Sequence, residues 1–415
     1  MKKKQLSVRL YGKPAGVLEQ LPDGKMIFTY GSTEAELVSL GMPVREQPYG
    51  HTACEAFFGG LLPESEAARK TIGMKYGISP RNSFALLKAI GYDCAGAISF
   101  HEMDDPVISM RSFALEGKVV MEDELYAHIK ALPEKPLFLG FEGLRLSLAG
   151  VQDKAAVCII DGEIAIPKHG CPTTHILKPA LSAFKGIVEN EYLCMQTASH
   201  AGLTVPHVEI RKIKDIPCLL IERYDRRVQN NTVERFHQED FCQALGIVSA
   251  RKYQNEGGPS LQQCFNLLKN TTQPAIGRNM LVAGVVYNYL AGNMDAHGKN
   301  FSLLHKSSAQ VDLAPFYDIV CTRFYPALDS RMAMKIGSKY EANQIQPRHW
   351  EQFCRDIDYS WPALKKLIKK QGESVLKALA ANRNFYIEMT QNDSITNNLI
   401  EIISNNIIRI LGQFE

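Results

Sequence analysis

The residues best suited to chemistry stand together in Gly292-Asn293-Met294-Asp295-Ala296-His297-Gly298-Lys299-Asn300-Phe301. This polar run follows Leu281 to Gly292, an almost wholly apolar stretch broken only by Asn288, and precedes a short strand, Phe301 to Leu304. A loop held between two buried elements suits a group that must be placed within a fraction of an ångström. The chemistry that the spacing allows is phosphoryl transfer, in which an Asp orients or accepts the attacking hydroxyl and an Asn five positions later ligates Mg²⁺. Asp295 and Asn300 have that D-x-x-x-x-N spacing. Val311 to Val320 reads as a hairpin arm carrying Phe316-Tyr317-Asp318, and Asp318 takes the place of a metal-binding carboxylate downstream of the loop. D-x-x-x-x-N occurs by chance in most chains of this size, and capping and turn formation are the competing reading of the same residues.

Upstream, Ser147-Leu148-Ala149-Gly150-Val151-Gln152-Asp153-Lys154 feeds the apolar strand Ala155 to Ile160. It is a small-residue loop with a cation where phosphates could sit, and Gly150 lets backbone approach a ligand. An ordinary strand-entry turn is the alternative. Lys178 ends the strand that begins at His175, and Glu191 lies on the next helix, the arrangement by which a kinase Lys grips phosphates and pairs with a helix Glu. Taken alone, a surface Lys and an exposed Glu are the commoner fate of both.

The elements that must position these groups follow from the patterning. Alternation at Val8 and Leu10, then at Met26, Phe28 and Tyr30, predicts a small β-rich unit. Ala53 to Tyr76 and Asn82 to Ile90 read as helices, and Pro106 to Pro136 reads as a linker or hairpin between units. Ala155 to Ile160 and Glu163 to Ile166 form a hairpin on Asp161-Gly162. His175 to Leu177 and Cys218 to Ile221 are further strands, with a helix from Glu189 to Ala201 between them. From Asp240 onward the pattern is helical, over Asp240 to Leu245, Ser260 to Leu268, Asn279 to Leu290, Trp361 to Leu379 and Asn397 to Leu411. The last carries apolar residues at 399, 400, 403, 407, 410 and 411, a helix period.

At 415 residues the chain has room for two to three domains at about 150 residues each. Apolar residues at 45% and charged residues at 22% exclude a disordered or fibrous chain. Lys plus Arg (47) against Asp plus Glu (44) gives +3, too small a surplus to make nucleic acid the default partner. Ten cysteines without a CxxC pair or clustered His speak against zinc and for a reducing, cytoplasmic setting. The start, Met1-Lys2-Lys3-Lys4, leads into no apolar h-region, and no run reaches the length of a membrane span. The lysine face of Lys365, Lys366, Lys369 and Lys370 reads as solvated rather than DNA-binding, Trp350 and Trp361 as core, and His200, His237 and His305 as structural or exposed.

In chain order, Phe57-Phe58-Gly59-Gly60-Leu61-Leu62-Pro63-Glu64, the Ser147 to Lys154 loop, His175-Ile176-Leu177-Lys178, Asn190-Glu191-Tyr192, Glu222-Arg223-Tyr224-Asp225-Arg226, Gln238-Glu239-Asp240, Asp295 to Asn300 and Pro315-Phe316-Tyr317-Asp318 resemble the HipA family, bacterial Ser/Thr protein kinases serving as toxins of toxin–antitoxin pairs. The resemblance runs from near residue 55 to beyond residue 320; the final helices agree only in type. It implies an α+β, two-lobed protein-kinase-like fold: a β-rich N-terminal subdomain over 1–105, a nucleotide lobe over 106–225, and a mainly helical C-terminal lobe over 226–415.

By the same resemblance Asp295 is the catalytic base, Asn300 and Asp318 are Mg²⁺ ligands, and Ala149, Gly150, Val151, Gln152, Asp153 and Lys154 with Lys178 grip the phosphates of ATP. Glu222, Arg223 and Tyr224 form the hinge whose backbone meets adenine; His297, Gly298 and Lys299 orient phosphate, and Tyr317 flanks the metal ligand. Ser147 corresponds to the serine such kinases phosphorylate on themselves, where added negative charge beside the triphosphate would silence the enzyme. The implied partners are a HipB-like DNA-binding antitoxin and a translation component of the aminoacyl-tRNA synthetase class, with arrested growth as the result. The chain lacks the G-x-G-x-x-G and H-R-D of ordinary protein kinases, so their substrate rules do not transfer. Two rivals are an antitoxin-binding corepressor with weak or lost kinase activity, and a small-molecule kinase of the aminoglycoside type; the Ser147 loop and Leu61-Leu62-Pro63-Glu64 favour the HipA reading.

Overall fold

The computed structural model describes residues 3–107, 112–136, 147, 154–168, 171–180, 184–307 and 310–414. The chain divides into two compact units that interleave in sequence: residues 1–181, 212–250 and 303–311 form the first, and 182–211, 251–302 and 312–415 the second. The helix at Ile187–His200 therefore belongs to the second unit although both flanking strand regions lead to the first.

In the first unit an antiparallel sheet runs in the order Met26–Tyr30, Lys13–Gln20, Lys4–Leu10, Ile98–His101. Leu6, Val8 and Leu10 alternate into the core, where Phe58 meets Phe28 and Phe100 edge to face at 5.2 and 5.7 Å. Gly16 is required there, because a Cβ would stand 2.3 Å from the Thr29 carbonyl oxygen and 2.6 Å from the Phe28 ring. The helix expected over Ala53 to Tyr76 is three pieces: His51–Phe57, a 3₁₀ turn Gly59–Leu61, and Glu66–Tyr76 capped by Ser65. Pro63 lacks the N–H that a continuous helix would need.

Further along the first unit, Ile216–Glu222, His175–Pro179, Ala155–Ile160, Glu163–Pro167 and Gly117–Val119 lie side by side in that order. Leu219 stands opposite Lys178 and Glu222 opposite His175. The stretch Pro106 to Pro136 is neither a linker nor a hairpin: its described residues supply the strand Ser112–Ala114, paired with Thr232–Arg235, the strand Gly117–Val119, paired with Glu163–Pro167, and the helix Glu122–Lys130. Leu125, Ile129 and Leu132 recur at helical spacing on one side and bury against Val157, Ile164 and Leu177.

The second unit is mainly helical. Ile187–His200, Pro274–Ala291, Trp361–Ala381 and Asp393–Leu411 pack on one another. The last helix starts earlier than its apolar spacing indicates, because the Asn392 side chain caps it by accepting the Ile395 N–H. Asn406 donates to the Tyr289 and Leu290 carbonyls at 3.0 and 2.8 Å, satisfying the C-terminal end of Pro274–Ala291. Arg331–Ile336, Lys339–Glu341 and Arg383–Thr390 are elements that the pattern did not announce, and the arm at Val311 to Val320 is strand only at Gln310–Leu313. No helix of the described residues is long and apolar enough to cross a membrane.

Candidate active site

The helix Pro274–Ala291 ends at Gly292, whose φ of +78° turns the chain sharply into the loop that carries Asp295. The loop is held from below by amides. Asn293 donates to Asn288 Oδ1 at 2.7 Å and accepts the Asp295 N–H at 3.1 Å, while Asn288 donates to the Gly284 carbonyl at 2.9 Å. Thr322 bridges the start of the loop: its hydroxyl accepts from Met294 N–H at 2.9 Å and donates to the Gly292 carbonyl at 3.1 Å. With Asn293 and Met294 buried beneath it, Asp295 reaches solvent on a fixed backbone. Its Oδ1 accepts a hydrogen bond of 2.8 Å from the Tyr253 hydroxyl, and the Tyr253 ring meets His297 edge to face at 5.2 Å.

Asn300 closes the loop and reaches the second acidic residue. Its Oδ1 accepts the His297 N–H at 3.1 Å, and its Nδ2 donates to Asp318 Oδ2 at 3.0 Å. Gly298 N–H donates to the Lys252 carbonyl at 3.3 Å, and the Tyr317 hydroxyl donates to the Lys299 carbonyl at 2.6 Å. Asp318 has φ +59°, a left-handed backbone uncommon for a residue with a side chain. It is over-determined by its surroundings: Phe316 packs against Gly284, where a Cβ would meet the ring at 2.3 Å, and Asn190 clamps Cys321 through its N–H (2.8 Å) and its carbonyl (3.0 Å). Asp295, His297, Gly298, Lys299, Asn300, Tyr317 and Asp318 are thus brought together within the second unit.

Asn300 and Asp318 offer one amide oxygen and one carboxylate. The amide oxygen keeps a second lone pair beside the bond from His297. That donor set fits Mg²⁺, which is held by one or two carboxylates with substrate phosphates and water completing an octahedron. Among the described residues no group of three His, Cys, Asp or Glu could hold a metal without such help.

The remaining sequence-derived candidates belong to the first unit. Lys178 is buried on the strand His175–Pro179, and Lys154 is partly buried just before the strand Ala155–Ile160. Glu191 is buried in the second unit. Ala149, Gly150, Val151, Gln152 and Asp153 lie outside the described residues. Ser147 is fully buried, its Oγ donating to the Leu61 carbonyl at 2.7 Å and its N–H to the Asp93 carbonyl at 3.0 Å.

In the segment Glu222-Arg223-Tyr224, the Arg223 N–H donates to the Thr174 carbonyl at 2.9 Å, and its guanidinium turns inward. There Asp93 and Asp225 meet Arg223, Arg226 and Arg235 in a buried cluster. Arg226 reaches Asp93 at 2.8 Å and Asp225 at 2.9 Å, and Arg223 reaches Asp225 at 2.8 Å. Burial by itself would raise the Asp93 carboxyl, but Arg226, Arg223 and Arg235 outweigh it and hold it below the usual carboxylate range. Burial and the neighbouring Arg223 pull Arg226 down to about 10.

Tyr253, Thr322 and Asp93 were not among the candidates that the sequence offered, and Asn293 stood in the candidate loop without a role of its own. Nothing in local pattern marks Tyr253 or Thr322, since each meets the loop only through the tertiary fold. A polar Asn288 inside an apolar helix, five residues before Asn293, was a usable signal.

Comparison with known proteins bears on the whole chain. Residues 6–101 match the HipA N-terminal domain model, and residues 146–379 match the HipA-like C-terminal domain model. A Sinorhizobium fredii protein named "Putative kinase Y4mE" is 38% identical over 92% of this chain and 94% of its own length. The "Serine/threonine-protein kinase toxin HipA" of Shewanella oneidensis is 31% identical over 70% of this chain and 68% of its own. Among solved structures, the Shewanella oneidensis MR-1 HipA, HipB and operator DNA complex matches with a TM-score of 0.85 at 25% identity, covering 99% of this chain and 98% of that one.

Proposed function

The chain belongs to the HipA family of serine/threonine-protein kinases, and from that premise we propose that it transfers the γ-phosphate of ATP, with Mg²⁺, to a serine or threonine of a translation protein of the aminoacyl-tRNA synthetase class. The observation that carries the assignment of roles is the joining of Asp295, Asn300 and Asp318 by one loop and one hydrogen bond of 3.0 Å. Asp295 orients the acceptor hydroxyl and takes up its proton as the bond to phosphorus forms, and Tyr253 fixes the rotamer of that carboxylate. Asn300 and Asp318 hold Mg²⁺, which when bound supplies neutralisation of the phosphate oxygens. Lys178, Lys154 and the residues 149–153 grip the phosphates, while Lys299, His297 and Gly298 orient the transferred group. The backbone of Glu222, Arg223 and Tyr224 meets adenine.

The partner in this reading is a HipB-like DNA-binding antitoxin, drawn from the solved complex to which the chain is similar. The chain acts in the cytoplasm, within the domain scheme 1–105, 106–225 and 226–415. Ser147 is the self-modification site. Its complete burial supports a switch, because a phosphate on Oγ cannot stay where the hydroxyl now meets Leu61. The test is the mass of the purified, unphosphorylated protein after ATP and Mg²⁺. One added phosphate on Ser147 in the wild type, absent in Asp295→Ala, is the expected result; an unchanged mass in folded wild type, which also fails to label any protein, refutes the assignment.

A further inference from the structure

Ten free cysteines are present, and nine of them are buried. Cys171 is the exception, and it does not stand alone. Its sulfur and that of Cys158 both lie against one oxygen, the Pro172 carbonyl, at 3.6 and 3.4 Å. The shared oxygen places the two sulfurs within 7.0 Å of each other, the sum of the 3.4 and 3.6 Å contacts. Twelve residues lie between them in sequence, with Cys158 on the strand Ala155–Ile160 and Cys171 on the connection leading to His175–Pro179.

The surroundings divide the labour between them. The neighbouring Cys158, against the opposing effect of burial and with help from the Glu116 N–H at 3.3 Å, lowers the Cys171 pKa, while the Ala114 carbonyl accepts from the protonated thiol at 3.1 Å. The neighbouring Cys171, followed by burial, raises the pKa of Cys158. A partly exposed sulfur with a stabilised thiolate beside a buried thiol is the arrangement of an attacking and a resolving cysteine.

We propose that Cys158 and Cys171 form a reversible disulfide on exposure to hydrogen peroxide. The Cys171 thiolate attacks one peroxide oxygen, the O–O bond breaks, and the other oxygen leaves as hydroxide and is protonated to water. Cys158, after losing its proton, attacks the resulting sulfenic acid at sulfur, and the S–O bond breaks to release a second water. The two thiols lose two electrons, and the peroxide gains them. A thiol reductant restores the pair.

The bond would act on the nucleotide hinge, a consequence that rests on the reading of residues 222–224 given above. Residues 172–174 join the two places. The Thr174 carbonyl accepts the Arg223 N–H at 2.9 Å, Thr173 donates to Asp93 Oδ2 through its hydroxyl at 2.8 Å, and Arg223 donates to the Thr173 hydroxyl at 2.7 Å. Drawing the two sulfurs together moves the Pro172 carbonyl that both of them face, and with it the Thr174 carbonyl that accepts the hinge N–H.

The experiment treats the reduced full-length chain with hydrogen peroxide, removes it with catalase, and alkylates and digests the protein for mass spectrometry. A Cys158–Cys171 peptide lighter by two hydrogens and cleaved by dithiothreitol is expected, with the other eight cysteines still open to alkylation after unfolding. In Cys158→Ser the Cys171 sulfenic acid should persist and react with dimedone. Oxidation of Cys171 without that crosslink in the wild type, or no oxidation of either, overturns the proposal. A fluorescent ATP analogue tests the second part: affinity should fall about tenfold on oxidation of the wild type and not of Cys158→Ser. A crosslink with unchanged affinity refutes the coupling to the hinge, whereas a reduced chain that binds no nucleotide refutes the kinase assignment and leaves the crosslink to be decided by mass alone.

Discussion

Asp93→Asn is the sharpest perturbation of the first unit. The carboxylate accepts Arg226 at 2.8 Å on Oδ1, and the Thr173 hydroxyl and N–H at 2.8 and 3.1 Å on Oδ2, with Arg223 and Arg235 each at 3.5 Å. An asparagine keeps the shape and loses the charge, which leaves three buried guanidinium groups facing Asp225 alone. Removing one partner from a buried ion cluster costs about 3–5 kcal/mol, because the remaining charge is neither solvated nor paired. Both tryptophans, Trp350 and Trp361, lie in the second unit, so fluorescence does not report on this site. Amide hydrogen exchange does. Segments 94–101 and 173–179 should open on the order of 10²–10³-fold more readily in the variant. Adding Arg226→Met should recover part of the loss by removing an orphaned cation. Asp329→Asn, which breaks the exposed pair with Arg331, should leave exchange unchanged. Exchange in Asp93→Asn within about threefold of wild type would refute the reasoning, since it would mean that the cluster carries no net stabilisation.

Three further outcomes follow from other contacts. Tyr253→Phe removes the 2.8 Å bond to Asp295 and should lower kcat about 5- to 30-fold with KM for ATP unchanged, measured by steady-state phosphate transfer. Gly284→Ala drives a Cβ into the Phe316 ring two residues before Asp318, and should raise the Mg²⁺ concentration needed for half-maximal activity as well as lowering stability by about 1–3 kcal/mol. His237 is buried beside His305, and burial, followed by that neighbour, lowers its pKa to about 3. The unfolded chain therefore binds the proton first: stability is complete above about pH 6.5 and is lost toward pH 3, by at most about 1.4 kcal/mol per pH unit from this group. Urea midpoints between pH 8 and pH 4 should show that slope, flattened in His237→Gln.

Much of the second unit was legible because its helices carry their own period. The spacing of Leu399, Ile403, Ile407 and Ile410 marks the buried face of the last helix directly. The loop from Gly292 to Asn300 was legible for a related reason, since its polar residues interrupt an apolar context. What remained hidden is what depends on contacts far apart in sequence. Arg223 reads as part of a polar hinge over Glu222 to Tyr224, yet its side chain and that of Arg226 are buried against Asp93, about 130 residues away, with Asp225 in the same cluster. Hydropathy assigns charges to the surface, and a satisfied internal cluster has no local signature. The stretch from Pro106 to Pro136 looked like a connection because its strands are only three residues long and take their pairing from Thr232–Arg235 and Glu163–Pro167. Tyr253 sits in a segment without periodicity, and only the fold brings its hydroxyl to Asp295.

The most direct test of the central claim is transfer of radiolabelled γ-phosphate, in ATP and Mg²⁺, to a panel of purified bacterial aminoacyl-tRNA synthetases by the wild type, Ser147→Ala, Asp295→Ala and Asp318→Ala. A labelled serine or threonine on a synthetase is expected with the wild type and Ser147→Ala, and none with either acidic variant. Label that persists undiminished in folded Asp295→Ala would contradict the claim.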